Sequence, residues 1–218
     1  MAYSQGQEDY IKIIYELNGH NDYVSNKQIA ETLEISPPSV SDMIKKMEKE
    51  AIVDFIAYKG VKLTPKGLKV AIDVIRRHRM IEVFLYEKLG YQLNELDGDA
   101  EQMEHITSDV FYQRLEKFLG NPQYCPHGSL IPSYEQFEET HALSLLETNP
   151  DNQVTIKRVM DKKDLLDYLK RIKLVIGDKI TIVDKDSINQ VIIFQHQGEN
   201  HYLSYLLADM IFVEINNE

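Results

Sequence analysis

Apolar residues recur along this chain at two spacings, and the change from one to the other divides it. Tyr10, Ile11, Ile14, Tyr15 and Leu17 repeat at helical spacing, and Asn18-Gly19 supplies a stop, so the pattern predicts a helix over 7–18. Ser25 then opens a short helix with Ile29, Ala30 and Leu33 inward, and Glu34-Ile35 turns the chain. Ser36 caps a second helix, where Pro37 and Pro38 are tolerated because first-turn N–H groups are unpaired anyway. Val40, Ile44 and Met47 form its buried stripe. Short helix, tight turn and second helix with small polar residues in its first turn is the helix-turn-helix layout. Val53, Phe55 and Ala57 alternate into a turn at Tyr58-Lys59-Gly60, and Val61 and Leu63 return, which predicts a β-hairpin in the place of a wing.

Beyond the hairpin the pattern becomes helical again. Thr64 caps a long helix from Pro65 to about Gly90, and a further helix is expected over 97–119. These apolar-rich helices exceed what a small DNA-binding head can cover, which points to burial against a second copy. Residues 120–150 carry Pro122, Pro126, Pro132 and Pro150 and read as a connector. From residue 151 the period shortens. Strands are expected over 153–159, 179–183, 190–194 and 211–215, with one helix near 163–171, which suggests a small barrel. The expected fold is therefore mainly α with β, in three domains: 1–70, 71–150 and 151–218.

Charge refines this division. The 218-residue chain carries a net charge of −11, but residues 1–70 hold 9 Lys/Arg and 10 Asp/Glu, whereas residues 71–218 hold 15 and 25. An acidic whole argues against a general nucleic-acid coat, while a near-neutral first segment leaves room for a local basic face. Ser36, Pro37, Pro38, Ser39 and Ser41 form a compact first turn that can approach bases or phosphates. Lys45, Lys46 and Lys49, with Lys59 and Lys62 of the hairpin, can meet the phosphate backbone. No apolar run is long enough to span a membrane and no signal peptide is apparent. The single cysteine, Cys125, cannot form an intramolecular disulfide, which fits a reducing cytoplasm.

The most pointed chemistry lies in the middle. On a helix Glu101, Glu104 and His105 share one face, as positions i, i+3 and i+4 do. Two carboxylates and an imidazole make a half-shell for manganese, iron or zinc. His78 and Glu82 repeat the idea at i, i+4, and Cys125 and His127 add two more potential ligands. The plain alternative is that each pair faces water on an acidic helix. No His-Glu-x-x-His motif, serine–histidine signature or glycine-rich phosphate loop is present, so nothing here marks an enzyme.

Six stretches carry a resemblance: Glu8-Asp9-Tyr10, Ser36-Pro37-Pro38-Ser39-Val40, Gly60-Val61-Lys62-Leu63-Thr64, Arg77-His78-Arg79 with Glu82, Glu101-x-x-Glu104-His105-x-x-Ser108-Asp109, and Cys125-Pro126-His127-Gly128. In this order they resemble the metal-dependent repressors of the diphtheria toxin repressor type, and among them the manganese transport regulators. The resemblance implies a winged helix-turn-helix, a helical dimerisation domain and a C-terminal SH3-like (FeoA-type) domain. It implies a cytoplasmic homodimer that binds palindromic operators on double-stranded DNA when loaded with metal, to control metal uptake genes. It implies two metal sites. One would combine Asp9, His78, Glu101, Glu104 and His105. The other would combine Glu82, Cys125, His127 and an acid of the last domain, for which Asp161 matches and Asp164, one turn on, is the alternative. Iron-type members place methionine at the position of Asp9 and cysteine at that of Glu101, so the two carboxylates here favour Mn²⁺, with Fe²⁺ or Zn²⁺ as alternatives. One departure is Lys12, where some manganese regulators carry a carboxylate. A metal-independent winged-helix regulator sensing a small molecule in its last domain is the other reading.

Overall fold

The computed structural model describes residues 3–105, 108–137 and 143–216. The chain falls into two compact units. The first gathers Met1–His78, Glu104–Thr107 and Pro132–Phe137, and the second gathers Arg79–Met103, Ser108–Ile131 and Glu138–Glu218.

In the first unit α1 (Gln5–Glu16), α2 (Asn26–Thr32) and α3 (Pro37–Lys49) enclose a core that includes Ile11, Ile14, Ile29, Ile44 and Met47. Each helix starts where its sequence can satisfy the first free N–H groups. Ser25 accepts from Gln28 N while Gln28 reaches back, and Ser36 accepts from Ser39 N ahead of two prolines. Strands β1 (Val53–Ile56) and β2 (Gly60–Leu63) pair antiparallel as the expected wing, and Val24 adds a bridge to Val61. That bridge fixes one residue identity. Gly60 has φ +119°, and a Cβ there would lie 2.1 Å from the Val24 carbonyl oxygen. The segment Pro132–Phe137 is fastened to the same unit. Tyr134 donates to Asp73 at 2.7 Å, Arg76 donates to the Pro132 carbonyl at 2.9 Å, and the Tyr15 hydroxyl donates to the Phe137 carbonyl.

Helix α4 (Pro65–Leu89) begins in the first unit and ends in the second. In the second unit Met80, Ile81, Leu85, Leu96, Ala100 and Tyr112 share a core with Cys125. The single helix expected over 97–119 is two: α5 (Leu96–Met103) and α6 (Asp109–Phe118). Ser108 accounts for the break, because its hydroxyl accepts from Phe111 N at 3.3 Å and starts a new helix. Residues 106–107, within that expected helix, lie outside the described residues, as do 138–142 of the expected connector.

The C-terminal part is a six-stranded antiparallel sheet of β3 (Leu143–Ser144), β4 (Gln153–Val159), β5 (Lys179–Asp186), β6 (Val191–His196), β7 (Glu199–Ser204) and β8 (Ile211–Ile215). Their order is β3-β8-β4-β5-β6-β7. Among the described residues no pairing joins β3 to β7, so closure of the expected barrel is not seen. Helix α7 (Lys163–Ile172) buries Leu165, Leu166 and Leu169 against the sheet, and α8 (Tyr205–Ala208) is a single turn. Strand β7 was not expected, since it lies at the edge of the sheet and Leu203 is its one buried residue. No described helix is long and apolar enough to cross a membrane.

Gly60→Ala must find room between the wing and Val24 in a backbone region that side chains resist. We expect a loss of about 1–3 kcal/mol in stability, read by urea unfolding. An unchanged midpoint would show that the Val24 bridge is not held in solution.

Candidate metal centre

Among the described residues, ligand-type side chains gather within each unit. In the first unit Glu104 and His105 occupy a turn just past the end of α5, so the shared helical face expected for Glu101, Glu104 and His105 does not persist through them. What gathers them instead is α1. His105 Nε2 lies 3.0 Å from Asp9 Oδ1 and 3.4 Å from Glu104 Oε1. None of these contacts has hydrogen-bond geometry, and His105 Nε2 is buried with no hydrogen bond. The opposite ring nitrogen is satisfied, since His105 Nδ1 sits 2.8 Å from Glu8 Oε2.

Glu104 is 1% exposed, and a carboxylate buried that deeply demands compensation. Its Oε2 lies 2.5 Å from His78 Nδ1 and 3.3 Å from the Lys12 ammonium, itself buried and 3.0 Å from His78 Nδ1. Lys12 is thus an internal cation on one side of Glu104, while Oε1 faces Asp9 and His105 on the other. Two oxygen donors and one nitrogen, the latter aimed inward without a hydrogen bond, fit a divalent metal ion. Glu101 is half-buried on α5 in the second unit.

In the second unit Glu82, Cys125 and His127 are all buried and offer ligand atoms within 4.8 Å of one another. Glu82 Oε1 is 3.1 Å from His127 Nδ1, and His127 Nε2 is 3.3 Å from the Leu93 carbonyl. Burial, with the Glu82 charge, pushes the Cys125 thiol up. Burial works against a charged His127, but its hydrogen bonds to Cys125 and Glu82 outweigh it and push the imidazole up to about 11. Cys125 and Glu82 together therefore favour an imidazolium in the metal-free cluster, and metal binding there would compete with protons. Backbone geometry shapes the loop: Gly128 N donates to Cys125 O at 2.9 Å, and Val159 N donates to His127 O at 2.9 Å. Gly128 has φ +81°, and a Cβ there would lie 2.0 Å from the Lys157 carbonyl oxygen. Asp161, two residues past β4, and Asp164, on the first turn of α7, are exposed and stand outside this trio.

The candidate DNA-contacting residues lie in the first unit. Ser36, Pro37, Pro38 and Ser39 are exposed, and Lys45 is exposed beside Asp42. Others have inward ties. Ser41 donates to the Pro37 carbonyl and accepts from Asn26, and Lys46 donates to Gln7 at 3.4 Å. Lys62 donates to the Asn21 carbonyl at 2.7 Å, and Lys59 lies over the Tyr23 ring.

Residues 3–61 match the family description "Iron dependent repressor, N-terminal DNA binding domain", and residues 64–133 match "Iron dependent repressor, metal binding and dimerisation domain". Residues 143–215 match the FeoA domain. The structure of the manganese regulator SloR is 38% identical, covers 96% of this chain and 98% of its own, and superposes with a TM-score of 0.83. This chain belongs to the diphtheria toxin repressor family. The crystal structure of ScaR with bound Zn²⁺ is likewise 38% identical, over 95% of this chain and 98% of its own, with a TM-score of 0.84. The diphtheria toxin repressor of Corynebacterium diphtheriae is 28% identical over 219 residues, spanning 95% of this chain and 96% of its own length. As a member of that family the chain is a metal-dependent, DNA-binding transcriptional repressor and not an enzyme, and its last domain is SH3-like. Asp9 and the helix-turn-helix residues fall in the segment matched to DNA binding. His78, Glu82, Glu101, Glu104, His105, Cys125 and His127 fall in the segment matched to metal binding and dimerisation, and Asp161 falls in the FeoA segment.

Reading the sequence overlooked Glu8 as a side chain of the His105 cluster. Its place one helical turn before Lys12, on a face that α1 buries, was the available signal. For Lys12 we expect that Lys12→Met, which removes the ammonium and leaves Glu104 buried, destabilises the metal-free repressor by about 3–5 kcal/mol in urea unfolding. A loss under about 0.5 kcal/mol would show that water, not Lys12, carries that charge.

Proposed function

We propose that this repressor responds to manganese, loading Mn²⁺ at the cluster of Asp9, His78, Glu101, Glu104 and His105 and then binding palindromic operators as a homodimer to control metal uptake genes in the cytoplasm. The observation that carries the reading is the convergence of Asp9, Glu104 and the inward Nε2 of His105. These are hard oxygen donors with one imidazole and no sulfur, a set suited to Mn²⁺. The name of the 38% identical SloR, a manganese regulator, supports the same ion. A bound divalent ion supplies the positive charge that lets these carboxylates and imidazoles stay together away from water.

The protein's own residues do the rest. The ligands come from α1, from α4 and from residues 101–105, so holding them together restricts the winged-helix head formed by residues 1–70. Two heads must present α3 about one DNA turn apart, roughly 34 Å, to read a palindrome. A head already restrained loses less freedom on binding. Ser36 to Ser39 meet the DNA first, with Ser41 beneath, and Lys45, Lys46, Lys59 and Lys62 serve the phosphates. Residues 71–150 hold metal and dimerise. Tyr86, Leu89, Val110, Phe111 and Phe118 leave an exposed apolar surface on α4 and α6 that suits a second copy. Glu82, Cys125 and His127 form a second site, completed by Asp161 of the SH3-like domain, residues 151–218. The Cys125 sulfur favours a softer ion there, and the Zn²⁺ of the ScaR structure and the iron in the family descriptions keep Zn²⁺ or Fe²⁺ as the second reading.

The test is DNA retention at fixed salt on the region upstream of the protein's own gene and nearby transporter genes, with chelator or with Mn²⁺, Fe²⁺ or Zn²⁺ added. We expect retention only with metal, and at the lowest concentration with Mn²⁺. Glu104→Ala and His105→Ala should each abolish that retention while light scattering still reports a dimer. Wild-type retention by either variant would sink the mechanism, and tightest retention with Fe²⁺ or Zn²⁺ would favour the second reading.

A further inference from the structure

We infer that Glu8 is a positioning residue for the metal centre: it fixes the ring orientation and tautomer of His105 so that Nε2 presents its lone pair inward. The inference rests on the reading of the His105 cluster as a metal site. An imidazole binds a metal through a nitrogen that carries no proton, and the hydrogen bond made by the other nitrogen decides which one that is. Here the two ring nitrogens differ sharply. His105 Nδ1 lies 2.8 Å from Glu8 Oε2, a side chain 14% exposed, in a hydrogen bond of acceptable geometry. His105 Nε2 is buried with no hydrogen bond, although Asp9 Oδ1 and Glu104 Oε1 lie 3.0 and 3.4 Å away. Nδ1 meets its acceptor in hydrogen-bond geometry, whereas an N–H at Nε2 would not be aligned on either carboxylate oxygen near it. The geometry therefore matches the Nδ1–H tautomer, with the proton held by Glu8.

The placement follows from α1. Glu8 and Asp9 are consecutive on one helical turn, so one backbone segment delivers a carboxylate to each side of the same imidazole. Glu8 thus acts through His105, as the outer carboxylate of a carboxylate–histidine–metal arrangement. Asp9 and Glu104 face the nitrogen left for the ion.

The experiment uses the full-length, chelator-treated dimer. Long-range ¹H–¹⁵N correlation reads the tautomer of His105, assigned by its loss in His105→Gln, and competition with a colorimetric chelator reads Mn²⁺ affinity. The wild-type protein should show Nδ1–H. Glu8→Ala should lose that preference and bind Mn²⁺ about 10–100-fold more weakly. Glu8→Gln keeps an acceptor oxygen for Nδ1–H and should retain the tautomer with affinity within a few-fold of wild type. An Nε2–H tautomer in the wild type overturns the inference. So does Glu8→Gln weakening as far as Glu8→Ala, because Glu8 would then act by its charge or as a ligand. Mn²⁺ binding lost in His105→Gln but unchanged in Glu8→Ala overturns the inference and leaves the manganese reading standing. No Mn²⁺ binding by the wild-type protein overturns both.

Discussion

A carboxylate taken almost wholly out of water is the constraint on which the metal-responsive head depends. Glu104 has two oxygens, and the chain treats them differently. Oε2 is met by Lys12 and His78, so that half is neutralised from within. Oε1 is left with His105 and, beyond it, Asp9. Glu8, Asp9 and Glu104 bring three carboxylates to the His105 ring against the one ammonium of Lys12, an excess of negative charge that favours a cation. Gathering this much negative charge on one short helix would be opposed by its own repulsion.

The trio in the second unit is built on other terms. Its one carboxylate faces the imidazole, whose hydrogen bonds to Cys125 and Glu82 hold its pKa up against burial, while burial and Glu82 push the thiol up. Without metal it is a compact, internally paired cluster. Metal entry there competes with protons, whereas the Asp9 cluster presents a nitrogen already bare. The two clusters thus differ in softness and in the protons they release, and a rise in metal need not fill them together.

Much of this was legible in the sequence where pattern and caps agree. Ser25, Ser36 and Pro37 mark helix starts that the structure reproduces, and the alternation of Val53 and Phe55 against Val61 and Leu63 gives the wing. Legibility fails where tertiary context decides. An unbroken apolar period over 97–119 conceals the break before Ser108, because a cap inside a periodic stretch reads as one more polar residue. Strand β7 has a single buried position, so alternation has nothing to display. Ligand types at residues 101–105 were visible, and the family resemblance joined Asp9 to them, but helical spacing alone could not, since the gathering comes from α1 meeting a turn and not from one helix face. Glu8 was hidden for the same reason: adjacent residues on a helix point apart, and only a partner lying between them makes the two carboxylates act together.

Strand β4 meets the loop that carries Cys125 and His127 through main-chain groups. The Val159 N–H holds the His127 carbonyl, and Gly128 lies against the carbonyl of Lys157, both from strand β4. Carbonyls and N–H groups are the same whatever side chain they bear. The outer residues of β4 are therefore at liberty to drift without disturbing the ligand loop, whereas position 128 has no such latitude. The C-terminal sheet accordingly serves as a mould for that loop, and its hold is inherited through the fold and not through any particular amino acid.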